Sequence, residues 1–239
     1  MDKTTLGDRM KGYENIERRY LPKRAPVIIR IDGAHFHTVT RGCEKPFDKA
    51  FRDAMNCTML DLCRNIMGAK LGYTQSDEIS LLLTDDDTIE TQGWFDKNLQ
   101  KIVSTSAAMA TLYFNRYWPS ENGAYFDSRA FVLPREEVMN YFEWRQQDCV
   151  RNSIQSVGQA YFSHKQLNGK SCGDIQNMLF TERGVNWNDY APSVKRGVCA
   201  RKVDDAWTLD DSIPIFHNDP DYINNLVYHK EANITEMET

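Results

Sequence analysis

Two short acidic motifs carry the densest chemistry in this chain, Arg30-Ile31-Asp32-Gly33 and Ser76-Asp77-Glu78. The first ends an apolar, β-branched run. The second sits in the tight turn between two more such runs. Carboxylates at neighbouring strand ends can hold Mg2+ against a nucleoside triphosphate, and a two-ion site needs carboxylates that touch or bridge both ions. Asp32 and Asp77 are the expected bridging pair, and Glu78 is either a ligand or a supporting group. Gly33, lacking Cβ, is expected to let backbone groups approach the metal or the phosphates. The segment Gly33-Ala34-His35-Phe36-His37 would then wrap the phosphates, with Ser76 facing it. Taken singly, each motif is an ordinary turn; the pairing of the two gives them meaning.

A triphosphate also needs cations opposite it. Lys45, just before the second helix, and Lys101, on the helix after the hairpin, are the candidates. Further on, Trp144-Arg145-Gln146-Gln147-Asp148 is dense in large polar groups. Arg145 and Asp148 are spaced to pair on one helix. Alternatively, Arg145, Arg151 and Asn152 face RNA or its 5′ end, because guanidinium suits bidentate phosphate contact.

These residues must be positioned by the elements around them. Leu6, Met10, Tyr13, Ile16 and Tyr20 recur at steps of three and four, which predicts an amphipathic helix ending near Pro22. Strands are expected at 25–31, 70–75, 78–84 and 125–133, and helices at 47–66 and 93–117. The order is then βαββαβ, an α+β, ferredoxin-like pattern. Right-handed crossovers place the first strand beside the third, which brings Asp32 next to Asp77 and Glu78. After Pro134 the spacing predicts a long helix to about 163, a short one over 174–180, and a late strand over 196–203. Residues 1–134 therefore read as a catalytic unit with an N-terminal helix. Residues 135–239 read as an extension packed on the same domain.

The net charge of −5 is unevenly spread. Residues 204–239 hold nine acids against Lys230 alone, a balance of −8, which leaves +3 for residues 1–203. Such a body permits RNA binding. Six scattered cysteines form no CxxC pair and read as reduced, mostly buried thiols. No apolar run reaches the roughly 18 residues of a membrane span, and Met1-Asp2-Lys3-Thr4-Thr5 has no apolar leader core, so a cytoplasmic protein is expected.

With Phe36-His37, Lys45-Pro46, Gln75-Ser76-Asp77-Glu78, Trp144 to Cys149, Leu179-Phe180 and Lys195-Arg196-Gly197 in this order, the sequence resembles the tRNA(His) guanylyltransferase-like family. The resemblance spans roughly residues 6–203. It implies a polymerase-type palm with two Mg2+ ions held by Asp32, Asp77 and the Gly33 carbonyl. It also implies ATP, GTP and other nucleoside triphosphates as substrates, tRNA as partner, 3′-to-5′ nucleotide addition, and a homotetramer. In the guanylyltransferases proper, the Trp-Arg-Gln-x-Asp-Cys motif is followed by His-Ile-Asn-Asn; here Val150-Arg151-Asn152-Ser153 follows. Valine cannot make the histidine's hydrogen bonds. The departure resembles the bacterial and archaeal guanylyltransferase-like branch, which implies templated repair of tRNA 5′ ends rather than dedicated addition of G to tRNA(His). Asn98 stands where the eukaryotic pattern tends to have a basic residue.

Two other readings make distinct demands. A palm-type nucleotide cyclase predicts a Gly-Gly-Asp/Glu-Glu-Phe hairpin, and this one reads Tyr73-Thr74-Gln75-Ser76-Asp77-Glu78-Ile79. A silent RNA-binding module predicts base-stacking aromatics on its strands. Val27-Ile28-Ile29 lacks them.

Overall fold

A computed structural model describes residues 5–120 and 122–228. Its elements run α1 (Thr5–Ile16), β1 (Val27–Ala34), α2 (Phe36–Val39), α3 (Lys49–Asn65), β2 (Ala69–Gln75), β3 (Glu78–Leu83), α4 (Leu99–Tyr117), β4 (Tyr125–Val132) and α5 (Arg135–Tyr161). Then follow α6 (His164–Leu167), α7 (Cys172–Arg183), α8 (Pro192–Arg196), β5 (Val198–Val203), β6 (Ala206–Asp210) and α9 (Asp221–Asn224). The sheet order is β4-β1-β3-β2-β5-β6, with every neighbouring pair antiparallel. Its first four strands have the ferredoxin-like order, and β1 lies beside β3 as the topology predicts.

The strands are apolar on both faces because both are covered. Val27, Ile29 and Ile31 of β1, with Ile79 and Leu81 of β3, share one core with α3 and α4. Ile28, Leu71, Tyr73 and Leu82 point the other way, toward Val138 and Phe142 of α5. A third cluster, Ile154, Val157, Phe162, Ile175 and Leu179, joins α5 to α7. Val198 to Val203 returns the chain to the sheet beside β2, so two strands from beyond Pro134 extend it.

Three details differ from the sequence-based expectation. The helix expected from 93 begins at Leu99, because Phe95, Asp96 and Lys97 take left-handed conformations. The buried Lys97 ammonium anchors that turn: it donates to the carbonyls of Pro22 (2.7 Å) and Ala25 (2.9 Å) and pairs with Asp85 at 2.9 Å. Second, β6 lies inside the segment read as an acidic tail; the tail beyond Tyr228 is outside the described residues. Third, α1 is a helix but buries none of its residues.

Candidate active site at the β2–β3 turn

The hairpin turn is set by two residues, Ser76 and Asp77, with Ser76 in the left-handed region that tight hairpins need (φ 49°). Asp32 lies opposite Glu78 in the β1–β3 register, and the Gly33 N–H donates to the Asp77 carbonyl at 3.1 Å. The two motifs, over forty residues apart in sequence, are thus held together by the β1–β3 ladder and, at its end, by this backbone hydrogen bond.

Burial raises the Asp77 carboxyl above its ordinary range, and the negative charge of Asp32 raises it further. Among the described residues neither carboxylate has a lysine or arginine paired with it. Two adjacent carboxylates without a cation suit a divalent ion. No group of three metal-capable side chains converges among the described residues. This is still the donor set Mg2+ commonly takes, one or two carboxylates completed by backbone, water and substrate phosphate.

Glu78 serves differently. Its two oxygens accept from Arg145 Nε and Nη2, both at 2.8 Å, and Arg145 also reaches Asp148 at 2.7 Å. The reading of Arg145 as an RNA contact is therefore corrected. Its guanidinium is buried and committed to two carboxylates, because alternation on β3 turns Glu78 toward α5. Of the other two RNA candidates, Arg151 is exposed and pairs with Asp148, and Asn152 donates to Asp148 at 3.4 Å.

Gly33 is required for a reason the sequence did not suggest. A Cβ there would lie 2.3 Å from a ring carbon of Phe36. Phe36 is itself a correction, since it is a core residue rather than a nucleotide contact. Its ring packs against Phe51, Phe114 and Phe126. Ala34 ends β1 beside Tyr125 of β4. His35 takes a left-handed conformation, and its ring meets Tyr125 and His37 edge-on.

Beside the turn lies a cavity of about 260 Å³, whose walls include Lys45, Arg52, Gln75, Ser76 and Asn152. Lys45 and Ser76, two of the expected nucleotide contacts, both line this cavity. Lys101 does not. It sits at the start of α4, whose neighbour Ile102 packs by Val27, while Asp32 is at the other end of β1. A helix leaving β3 must start where β3 ends, far from the turn where β3 begins.

Sequence reading missed several neighbours. Arg30 lies one alternation from Asp32 on the same face, a signal readable from the period of the strand. Arg129 and Asp127 face Arg30 and Asp32 from β4. That register depends on tertiary pairing and leaves no local trace. Asp148, the hub for Arg145, Arg151 and Asn152, was readable only as a helix-spaced partner.

The comparisons bear on this geometry. The sequence profile described as tRNAHis guanylyltransferase matches residues 7–134. A tRNA(His) guanylyltransferase of Schizosaccharomyces pombe is 27% identical, covering 84% of this chain and 83% of that protein. An uncharacterized mimivirus protein, R259, is 28% identical over 82% of this chain and 77% of its own length. A bacterial tRNA(His) guanylyltransferase (Thg1)-like protein, solved in complex with ATP, superposes with a TM-score of 0.91 at 53% identity, covering 94% of this chain and 100% of that one. A second such bacterial structure, in complex with GTP, has a TM-score of 0.81 at 46% identity over 94% of this chain and 100% of that one. The Saccharomyces cerevisiae tRNA(His) guanylyltransferase, at 21% identity and TM-score 0.69 over 87% of this chain and 99% of that one, shares the fold. The chain belongs to the tRNAHis guanylyltransferase family of nucleotidyltransferases.

Proposed function

We propose that this nucleotidyltransferase is Mg2+-dependent and template-directed, adds nucleotides in the 3′-to-5′ direction, and repairs the 5′ ends of truncated tRNAs. The observation that carries the repair reading is Val150. On α5 it faces an open groove with Gln147, Trp187 and Lys195, at the position where the resemblance implies a histidine in the guanylyltransferases proper. An apolar side chain there cannot read a polar feature of one particular tRNA. The identities agree in direction: 53% and 46% to bacterial Thg1-like proteins, against 27% to the S. pombe tRNA(His) enzyme.

In this reading the 260 Å³ cavity takes ATP or GTP, with its phosphates directed past Ser76 to Asp32 and Asp77. Asp32, Asp77 and the Gly33 backbone hold the metal. Bound there, Mg2+ supplies charge to the transferring phosphate and lowers the pKa of the attacking hydroxyl. Arg30 and Arg129, facing each other across β1 and β4, offer positive charge on the same face as Asp32. Glu78 and Arg145 tie the turn to α5. The assembly is proposed to be a homotetramer, for which the exposed apolar side of α1 is available surface.

The test uses tRNA lacking its first nucleotide, Mg2+ and labelled nucleotides. Incorporation of the templated base, with Asp32→Ala and Asp77→Ala inactive, is the expected result. Addition of a single G to full-length tRNA(His) alone would favour guanylylation over repair.

A further inference from the structure

The activating nucleotide and the RNA end need different approaches to Asp32 and Asp77. The cavity opens on the flank of β2 and α5, with Gln75, Ser76 and Asn152 in its walls. The other flank is the edge strand β4. There Phe126 and Ser128 turn inward, to the aromatic core and to Ser106 of α4. Tyr125, Asp127 and Arg129 alternate outward, on the face that carries Arg30 and Asp32.

Tyr125 stands at the site end of this row. It pairs with Ala34 in register, two positions beyond the Asp127–Asp32 pair, which is about 7 Å along the strand. Its side chain is 56% exposed. Nevertheless its ring is not loose: His35 meets it edge-on, with centroids 6.3 Å apart and planes at 70°. His37 meets His35 in turn at 6.1 Å. His35 takes a left-handed backbone conformation, uncommon for a residue with a side chain, and this carries its ring to Tyr125. The edge contact braces one side of the phenol ring, and most of the rest is open to solvent. Arg129 lies four positions along the same strand, paired to Asp127 at 3.1 Å, and Arg30 lies opposite it on β1. An exposed aromatic face on the same sheet face as such cations is how proteins hold an unpaired or terminal base beside its phosphates.

We propose that Tyr125, braced by His35, is the platform on which the 5′-terminal base of the RNA stacks, so that its 5′ phosphate lies over Asp32. The proposal rests on the reading of the chain as a tRNA 5′-end enzyme. Stacking on an aromatic face tolerates any base, as end repair requires and single-nucleotide recognition does not.

The experiment places 2-aminopurine at the first position of a 5′-truncated tRNA and follows its fluorescence on binding, without nucleotide so that nothing turns over. Wild type and Tyr125→Phe are expected to quench it. Tyr125→Ile, which keeps a strand-forming residue but removes the π face, is expected not to quench. In turnover, Tyr125→Ile should raise KM for the RNA about tenfold and leave KM for ATP unchanged. Undiminished quenching by Tyr125→Ile overturns the platform while leaving the function intact. Failure of wild type to bind the truncated tRNA overturns both.

Discussion

Arg145 holds both carboxylate oxygens of Glu78, Nε to Oε1 and Nη2 to Oε2, each at 2.8 Å and both side chains buried. This fork joins the start of β3 to the middle of α5. The hairpin that carries Asp77 and the helix that carries Asn152 are therefore tied by a buried ion pair. Breaking one partner of a buried pair strands the other charge and costs about 3–5 kcal/mol, whereas replacing both with apolar groups of similar volume is often neutral. Glu78→Leu alone leaves the buried Arg145 paired to Asp148 alone (2.7 Å) and should lower stability by about 1–3 kcal/mol. The double variant Glu78→Leu/Arg145→Met should recover most of it. Urea unfolding of the four members of this cycle measures the coupling, and additive losses would show the fork to be inert.

Among the described residues no lysine or arginine pairs with Asp32 or Asp77. Burial and the charge of Asp32 both disfavour ionised Asp77. Asp77→Asn should therefore make the metal-free protein slightly more stable at neutral pH, while abolishing nucleotide addition. Adding Mg2+ should raise the Tm of wild type and not of Asp77→Asn. Equal Tm shifts in the two proteins would remove Asp77 from the metal site.

Gly33 was read as a residue that lets phosphate approach, yet the close neighbour in the folded chain is Phe36. A methyl group at Gly33 meets that ring at 2.3 Å, and Phe36 is wedged among Phe51, Phe114 and Phe126. Gly33→Ala should cost about 1–3 kcal/mol through overpacking, measured by thermal unfolding. It should also lower kcat, because the displaced backbone is the one hydrogen-bonded to Asp77.

How much was legible follows from where each signal lives. β1 and the β2–β3 hairpin announce themselves through Val27 to Ile31 and Glu78 to Leu83, so the meeting of Asp32 and Asp77 could be reached through topology alone. The direction of α4, which starts by the end of β3, sets Lys101 at the opposite end of the sheet from Asp32, and that direction is a matter of topology rather than of local spacing. Phe36 looked like part of a binding loop because its partners, Phe51, Phe114 and Phe126, come from three separate elements. Trp207 and Leu209 carry the alternation of β6, but the surrounding acids disguised it. Arg145 showed its charge but not its burial, which the packing of α5 on the sheet decides.

The apolar residues of α1 recur with helical period, yet Leu6, Met10, Tyr13 and Ile16 are between 45% and 74% exposed. A stripe of that kind normally faces a core. If it is buried between copies in the proposed tetramer, Met10→Glu/Tyr13→Glu should lower the mass measured by light scattering without changing the far-UV spectrum. An unchanged mass would move the interface elsewhere.

Gln75 ends β2 with its side chain buried in the cavity wall, and its Oε1 has no hydrogen-bond partner among the described residues. A buried acceptor left unpaired costs about 1–3 kcal/mol, so the free protein carries a penalty at this position. That oxygen is closed to solvent, so neither water nor a nucleotide in the cavity reaches it in this conformation. Gln75→Met keeps the volume and removes the acceptor. It should raise the Tm of the free protein and leave ATP affinity unchanged. Calorimetric titration alongside thermal unfolding reads both. A variant that lost affinity about tenfold would show that the amide turns into the cavity to meet the nucleotide.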